Sequence, residues 1–161
     1  MFTAVDITRA GPVDAPVIAE MIGELLREIM ASMGETLFRF DRIATESRAQ
    51  GWLTNQSYAV FLARYPGEPR PVGLLTVYES YGLYADGTFG TIPEFYVRAA
   101  YRAQGVGTSL VAEAKRYAVA RGWTRLEVTT PPLPQFEGTM RFYTCQGFQV
   151  SGGRKLKLDL S

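Results

Sequence analysis

The chain has no histidine, and Cys145 is its one cysteine. Zinc sites built from imidazole or several thiolates are therefore excluded within one chain. So is Ser–His or Cys–His nucleophilic machinery. A lone cysteine closes no internal disulfide, so a reducing, cytoplasmic setting is the expectation. No apolar run approaches the ~18 residues of a membrane span. The first residues, Met1-Phe2-Thr3-Ala4-Val5-Asp6, lack the basic region and apolar core of a signal peptide. Charge of one sign is scarce too: 17 basic residues face 16 acidic ones. That balance gives no electrostatic footprint for a nucleic-acid or membrane partner.

What is present reads as one domain over residues 1–161. A chain of this length buries a core without staples, and 47% hydrophobic against 20% charged residues is ordinary for a globular protein. Residues 3 to 7 suggest a first strand. Asp14 is a good N-cap, and Val17, Ile18, Met21, Ile22, Leu25, Leu26 and Ile29 line one face of the helix that follows. A weaker helix is expected from Phe40 to Gln50, ended by Gly51. Tyr58 to Arg64 and Val72 to Tyr78 flank the turn Tyr65-Pro66-Gly67-Glu68-Pro69 and predict an antiparallel hairpin. Thr91 to Val97 is a third strand of this region. Thr108 to Arg121 has helical periodicity, Arg125 to Thr129 is a short strand, and Pro131 to Pro134 is a rigid loop. Gly138 to Gln146 predicts a helix. Two last strands are expected at 148–151 and 155–160. The strand–helix–strand unit requires a right-handed parallel crossover among antiparallel neighbours, so the sheet is mixed.

The stretch Tyr96-Val97-Arg98-Ala99-Ala100-Tyr101-Arg102-Ala103-Gln104-Gly105-Val106-Gly107-Thr108-Ser109-Leu110 carries most of the functional information. It ends a strand, turns through arginine and glycine, and opens a long helix. Such a turn offers unpaired N–H groups and the positive end of a helix dipole to an anion. A P-loop requires a lysine after its last glycine, where Thr108 and Ser109 stand. A dinucleotide fingerprint requires a third glycine where Leu110 stands. Both fail.

The spacing Arg102-x-x-Gly105-x-Gly107 resembles the acetyl-CoA motif of the GNAT superfamily of N-acetyltransferases. Phe142-Tyr143-Thr144-Cys145-Gln146-Gly147-Phe148 is similar to that family's distal Phe-Tyr-x-x-x-Gly-Phe signature. With the element order, the resemblance covers about residues 58 to 150. Ala103 departs from it where a second glycine is common, and Thr129-Thr130 stands where many members have asparagine. The resemblance implies an α/β (α+β) fold, a mixed, mostly antiparallel sheet of six to seven strands flanked by about four helices. It also implies acetyl-CoA as co-substrate, no metal, and a small-molecule or peptide amine as acceptor; a homodimer is compatible with it.

On this resemblance, the backbone of Gln104, Gly105, Val106, Gly107 and Thr108 holds the pyrophosphate of CoA. Arg102, Ala103 and Ser109 flank that cradle. Gly105 and Gly107 permit close approach by lacking Cβ atoms. The pantetheine arm pairs with the strand Phe95, Tyr96, Val97 as an added strand. An ammonium of pKa ~10.4 is rarely neutral at pH 7, so attack on the thioester requires a base. Glu94, among Ile92, Pro93, Phe95 and Tyr96, is the candidate. Tyr143 matches the tyrosine that protonates the departing thiolate. Cys145, at a helix C-terminus where nothing lowers its pKa, reads as a packing residue. Glu20, Glu24 and Glu28 on the first helix are either an attraction for a cationic amine or a solvated face. Phe38, Phe40, Trp52, Tyr78, Tyr81 and Tyr84 are candidates to wall an acceptor pocket. Transfer of another acyl group or to oxygen, and non-catalytic CoA binding, are the alternative readings.

Overall fold

The computed structural model describes residues 4–131 and 136–160. Strand β1 (Asp6–Arg9) leads through a single 3-10 turn (Pro12–Asp14) into helix α1 (Ala15–Met33), then α2 (Arg42–Thr54). Strands β2 (Ala59–Arg64), β3 (Gly73–Ser80), β4 (Phe89–Ile92) and β5 (Phe95–Val97) follow. Helix α3 (Val106–Ala120), strand β6 (Leu126–Val128) and helix α4 (Glu137–Cys145) complete the order. The sheet runs β1-β2-β3-β4-β6, with β5 also paired to β3. Every pairing is antiparallel except β4 with β6.

β4 and β5 are one strand interrupted by a bulge. Tyr78 faces Thr91 on one side of the break, and Leu75 faces Phe95 on the other, so the register slips by one residue at Pro93 and Glu94. Pro93 has no N–H to lose there. Thr76 closes the gap: its N–H donates to the Glu94 carbonyl at 2.9 Å, and its hydroxyl accepts from the Glu94 N–H at 3.0 Å. The parallel ladder with β6 stops at Ile92 and Val128, before the bulge. Among the described residues, β5 therefore continues with one edge on β3 and its other edge unpaired.

The alternation of β2, β3 and β5 splits the core in two. Val60, Leu62, Leu74 and Tyr96 pack with Ile18 and Met21 of α1. Phe61, Leu75, Val77 and Ile92 pack with Val106, Leu110 and Val111 of α3, while Phe95 and Val97 lie against the same cluster. Leu110 and Val111 are fully buried, each contributing ~1.5–3 kcal/mol. Gly73 lets α3 come this close, since a Cβ there would meet the Tyr96 carbonyl at 3.1 Å and Leu110 Cδ1 at 3.2 Å.

Some expectations change. Asp14 caps α1 without a side-chain bond to that helix; its carboxylate instead accepts from the Gly11 N–H at 2.9 Å. Gly51 lies inside α2, which runs on to Asn55 as its cap. Residues 149–160 form no strand, and Leu156, Leu158 and Leu160 stand exposed. Alternation supplied a face but no ladder partner, and a strand requires both. Cys145 is exposed, because α4 turns Tyr143 inward and position 145 falls on the opposite side of the helix. Thr3 and most of the proline loop (residues 132–134) lie outside the described residues.

Candidate active site

The turn after β5 is a run of unpaired donors. A 3-10 turn at Ala99–Tyr101 precedes it, and Gly105, at φ +86°, is the N-cap of α3. Among the described residues, the six successive N–H groups from Ala103 to Thr108 donate to no backbone carbonyl, and the Ser109 N–H is the first to bond back, to Gly105. The space outside Gly105 is open, with nothing within 4 Å of where a Cβ would sit. Ala103 adopts φ +61°, the left-handed region where a glycine carries no steric penalty.

Gly107 has a packing task beside the one its motif suggests. A Cβ on it would meet Phe95 Cζ at 3.1 Å and Phe142 Cζ at 3.2 Å. Its bareness makes room for two stacked rings, 5.4 Å apart, that join β5 to α4. Tyr143 completes this cluster, with its ring centroid 6.0 Å from that of Phe95 and 5.4 Å from that of Phe148. It is 5% exposed, and burial pushes its phenol up from 10.0 to about 12. Its hydroxyl has no hydrogen-bond partner among the described residues, and the phenol remains a proton donor through neutral pH.

Arg102 is turned away from the N–H run. Its Nε donates to the Val97 carbonyl at 2.8 Å and its Nη2 to Glu28 at 2.7 Å. Arg98 pairs with Glu24 at 3.1 Å, and Arg70 pairs with Glu20. The acidic row of α1 is thus neutralised by arginines of the sheet and turn. Arg102 serves this turn by tying it to α1.

Along β5, Tyr96 shares its main-chain bonds with β3, since the neighbouring bonded pairs are Thr76 with Glu94 and Val72 with Arg98. By the same alternation the N–H groups of Phe95 and Val97 point to the open edge. This edge, the N–H run of the turn and Tyr143 lie together on the α3–α4 side.

Glu94 lies on the other face. Tyr58 Oη donates to Glu94 Oε2 at 2.6 Å, and the Thr76 hydroxyl donates to the same oxygen. Burial first, and then the Glu94 charge, holds the Tyr58 phenol well above its ordinary range. Two hydroxyls thus meet the carboxylate, in place of the apolar sleeve its sequence neighbours suggest. Glu94, Tyr58, Thr76 and Val60 form part of the lining of a cavity of about 220 Å³ between α1, α2 and the sheet. Phe40 and Trp52 line it as well, and Tyr78 stacks on Tyr58 at 6.0 Å. Tyr81 and Tyr84 are exposed and take no part in it. Sequence reading missed Tyr58 and Thr76 as partners of Glu94; the usable signal was period-two spacing, which sets Tyr58, Val60 and Leu62 on one face, and Leu74 and Thr76 likewise.

A bulged central strand, a sheet that opens beyond it, and unpaired amides at a helix start define an acyltransferase domain. The chain belongs to the acetyltransferase (GNAT) family, whose family model matches residues 23–148. The fold is shared with aminoglycoside N-acetyltransferase AAC(6')-Iy in complex with CoA, at TM-score 0.79 and 15% identity over 100% of this chain and 98% of that one. An aminoglycoside acetyltransferase, meta-AAC0020, from an uncultured soil metagenomic sample gives 0.76 at 20% identity, covering 98% and 97% of the two chains. The ribosomal-protein-alanine N-acetyltransferase of Brucella melitensis gives 0.70 at 18%, covering 96% and 100%. At such identities the likeness carries the fold, and the acceptors named belong to those proteins. No curated protein sequence matches the chain. No helix among the described residues is long and apolar enough to cross a membrane.

Proposed function

We propose that the protein transfers an acetyl group from acetyl-CoA to the amine of a small acceptor, by direct attack within a ternary complex. The observation that carries this reading is the continuity of two donor sets on one side of the sheet. Six unpaired amides from Ala103 to Thr108 fit a diphosphate. The free edge of Phe95 and Val97 fits the amide-bearing arm that follows it. The substrate supplies the activated thioester. The chain's own residues do the rest.

The Phe95 N–H polarises the thioester carbonyl as charge develops on its oxygen. Glu94 takes a proton from the bound ammonium, directly or through water, on the acceptor side, and frees the neutral amine to attack. Tyr143 returns a proton to the leaving thiolate from the opposite side, where its raised pKa keeps it protonated. The sheet thus separates base from acid, and the opening between β5 and β6 is where their reach meets.

The test is release of free CoA thiol from acetyl-CoA across a panel of primary amines. Acceptor-dependent release at a saturable rate is expected. Binding of CoA without release for every amine would reduce the protein to a CoA-binding module.

A further inference from the structure

We infer that the acceptor is a small apolar amine bearing an anionic group, with Arg39 and Arg48 as its specificity determinants. This rests on the transferase reading and deepens it. The cavity beside Glu94 is apolar along its walls, where Ile22, Leu26 and Trp52 contribute. Among the described residues, its only ionisable groups besides Glu94 and Tyr58 are Arg39, from the segment after α1, and Arg48, on α2. The cavity therefore carries two positive charges against a single carboxylate, and that carboxylate already accepts from Tyr58 and Thr76.

Of the fourteen arginines, Arg64, Arg70, Arg98, Arg102, Arg116, Arg121, Arg125 and Arg141 each meet a carboxylate within 4.0 Å. Arg9, Arg27, Arg42 and Arg154 meet none among the described residues and do not line the cavity. Arg39 and Arg48 meet none among the described residues, although both border the cavity. The carboxylates that α1 offers, Glu20, Glu24 and Glu28, are held by Arg70, Arg98 and Arg102. Two guanidinium forks with open donors beside an apolar space suit a planar carboxylate or a phosphate.

The lining thus offers three kinds of surface. Glu94 adjoins Phe95, where the free edge of β5 begins, and receives the amine. The apolar walls receive the body. Arg39 and Arg48 receive the anion. A volume of about 220 Å³ lies under the ~300–1,000 Å³ of typical drug-sized pockets, which favours an acceptor of single-ring size. A polycation such as an aminoglycoside would meet two like charges on entry, and such juxtaposition is costly. The fold is shared with aminoglycoside acetyltransferases, whereas the two arginines of this cavity suit an anionic acceptor.

The experiment compares kcat/KM for phenylalanine and para-(aminomethyl)benzoate, each beside its own carboxamide, with spermidine as the polycation. The acids are expected to exceed their carboxamides by about tenfold, as the loss of a charge-assisted hydrogen bond implies. In an Arg39→Gln, Arg48→Gln double variant that ratio is expected to fall towards one. Both arginines are exposed, and an unchanged thermal midpoint reports an intact fold. Spermidine or the carboxamides outrunning the acids, or a ratio that survives in the variant, overturns the inference and leaves the transferase reading standing. No thiol release with any acceptor, while CoA still binds, overturns both.

Discussion

Tyr143 and Glu94 differ in how they are held, and each makes a separate prediction. Tyr143 sits in an aromatic cluster with a hydroxyl that no described residue engages. Tyr143→Phe keeps the ring and removes the proton. It is expected to lower kcat by about 10²-fold while the dissociation constant for CoA, read by calorimetry, is retained. The same phenol sets a stability signature. Unfolded, it ionises near its ordinary 10.0; folded, it holds its proton to about 12. Its contribution is fully present below pH 10 and drains away as pH rises towards 12. Urea titrations at pH 9 and pH 11 should show Tyr143→Phe losing about 1 kcal/mol less than the parent across that interval. Glu94→Gln should lower kcat by about 10²-fold at an unchanged KM for acetyl-CoA, because the carboxylate faces the acceptor cavity. Both residues could be named from the sequence as candidates, Tyr143 through its motif and Glu94 through its strand. The hydroxyls of Tyr58 and Thr76 could not, since they lie 36 and 18 residues from Glu94 in the chain.

The turn between β5 and α3 was legible because its information is local. Its glycines, its unpaired amides and the helix start all fall within a dozen residues of chain. Even so, the motif merges two roles that the packing separates. Gly105 supplies a left-handed conformation, and Gly107 supplies room for Phe95 and Phe142. Ala103 shares the left-handed conformation without the freedom for it. Ala103→Gly should therefore stabilise the protein by about 0.5–1 kcal/mol, the left-handed strain removed less the entropy the unfolded chain gains. Chemical denaturation measures it, and a destabilised variant would place the strain elsewhere. The bulge at Pro93 and Glu94 was hidden inside an apolar run that reads as one strand. Only the shift in pairing against β3 reveals it. The last two expected strands failed for the converse reason, since pattern was present without a partner.

At the scale of the molecule, the sheet is a wall with one opening. Residues of alternating strands send their side chains to two separate cores. The unpaired amides and Tyr143 gather on the α3–α4 side, and the cavity beside Glu94 lies on the α1–α2 side. The order of elements could be read from spacing, and the family from the resemblance of the Arg102–Gly107 and Phe142–Phe148 motifs. The cavity could not, because its lining is assembled from β2, β3, the bulge, both first helices and the segment joining them, elements far apart in the chain. Charge on α1 was open to two readings for the same reason, as its partners Arg98 and Arg102 stand 74 residues away. The central claim is that main-chain amides from Ala103 to Thr108, with those of Phe95 and Val97, receive the coenzyme. Titrating CoA into isotope-labelled protein and following backbone amide resonances tests it most directly. The largest shifts are expected at Ala103–Thr108, Phe95 and Val97. Saturable binding that leaves these eight amides unmoved would contradict it.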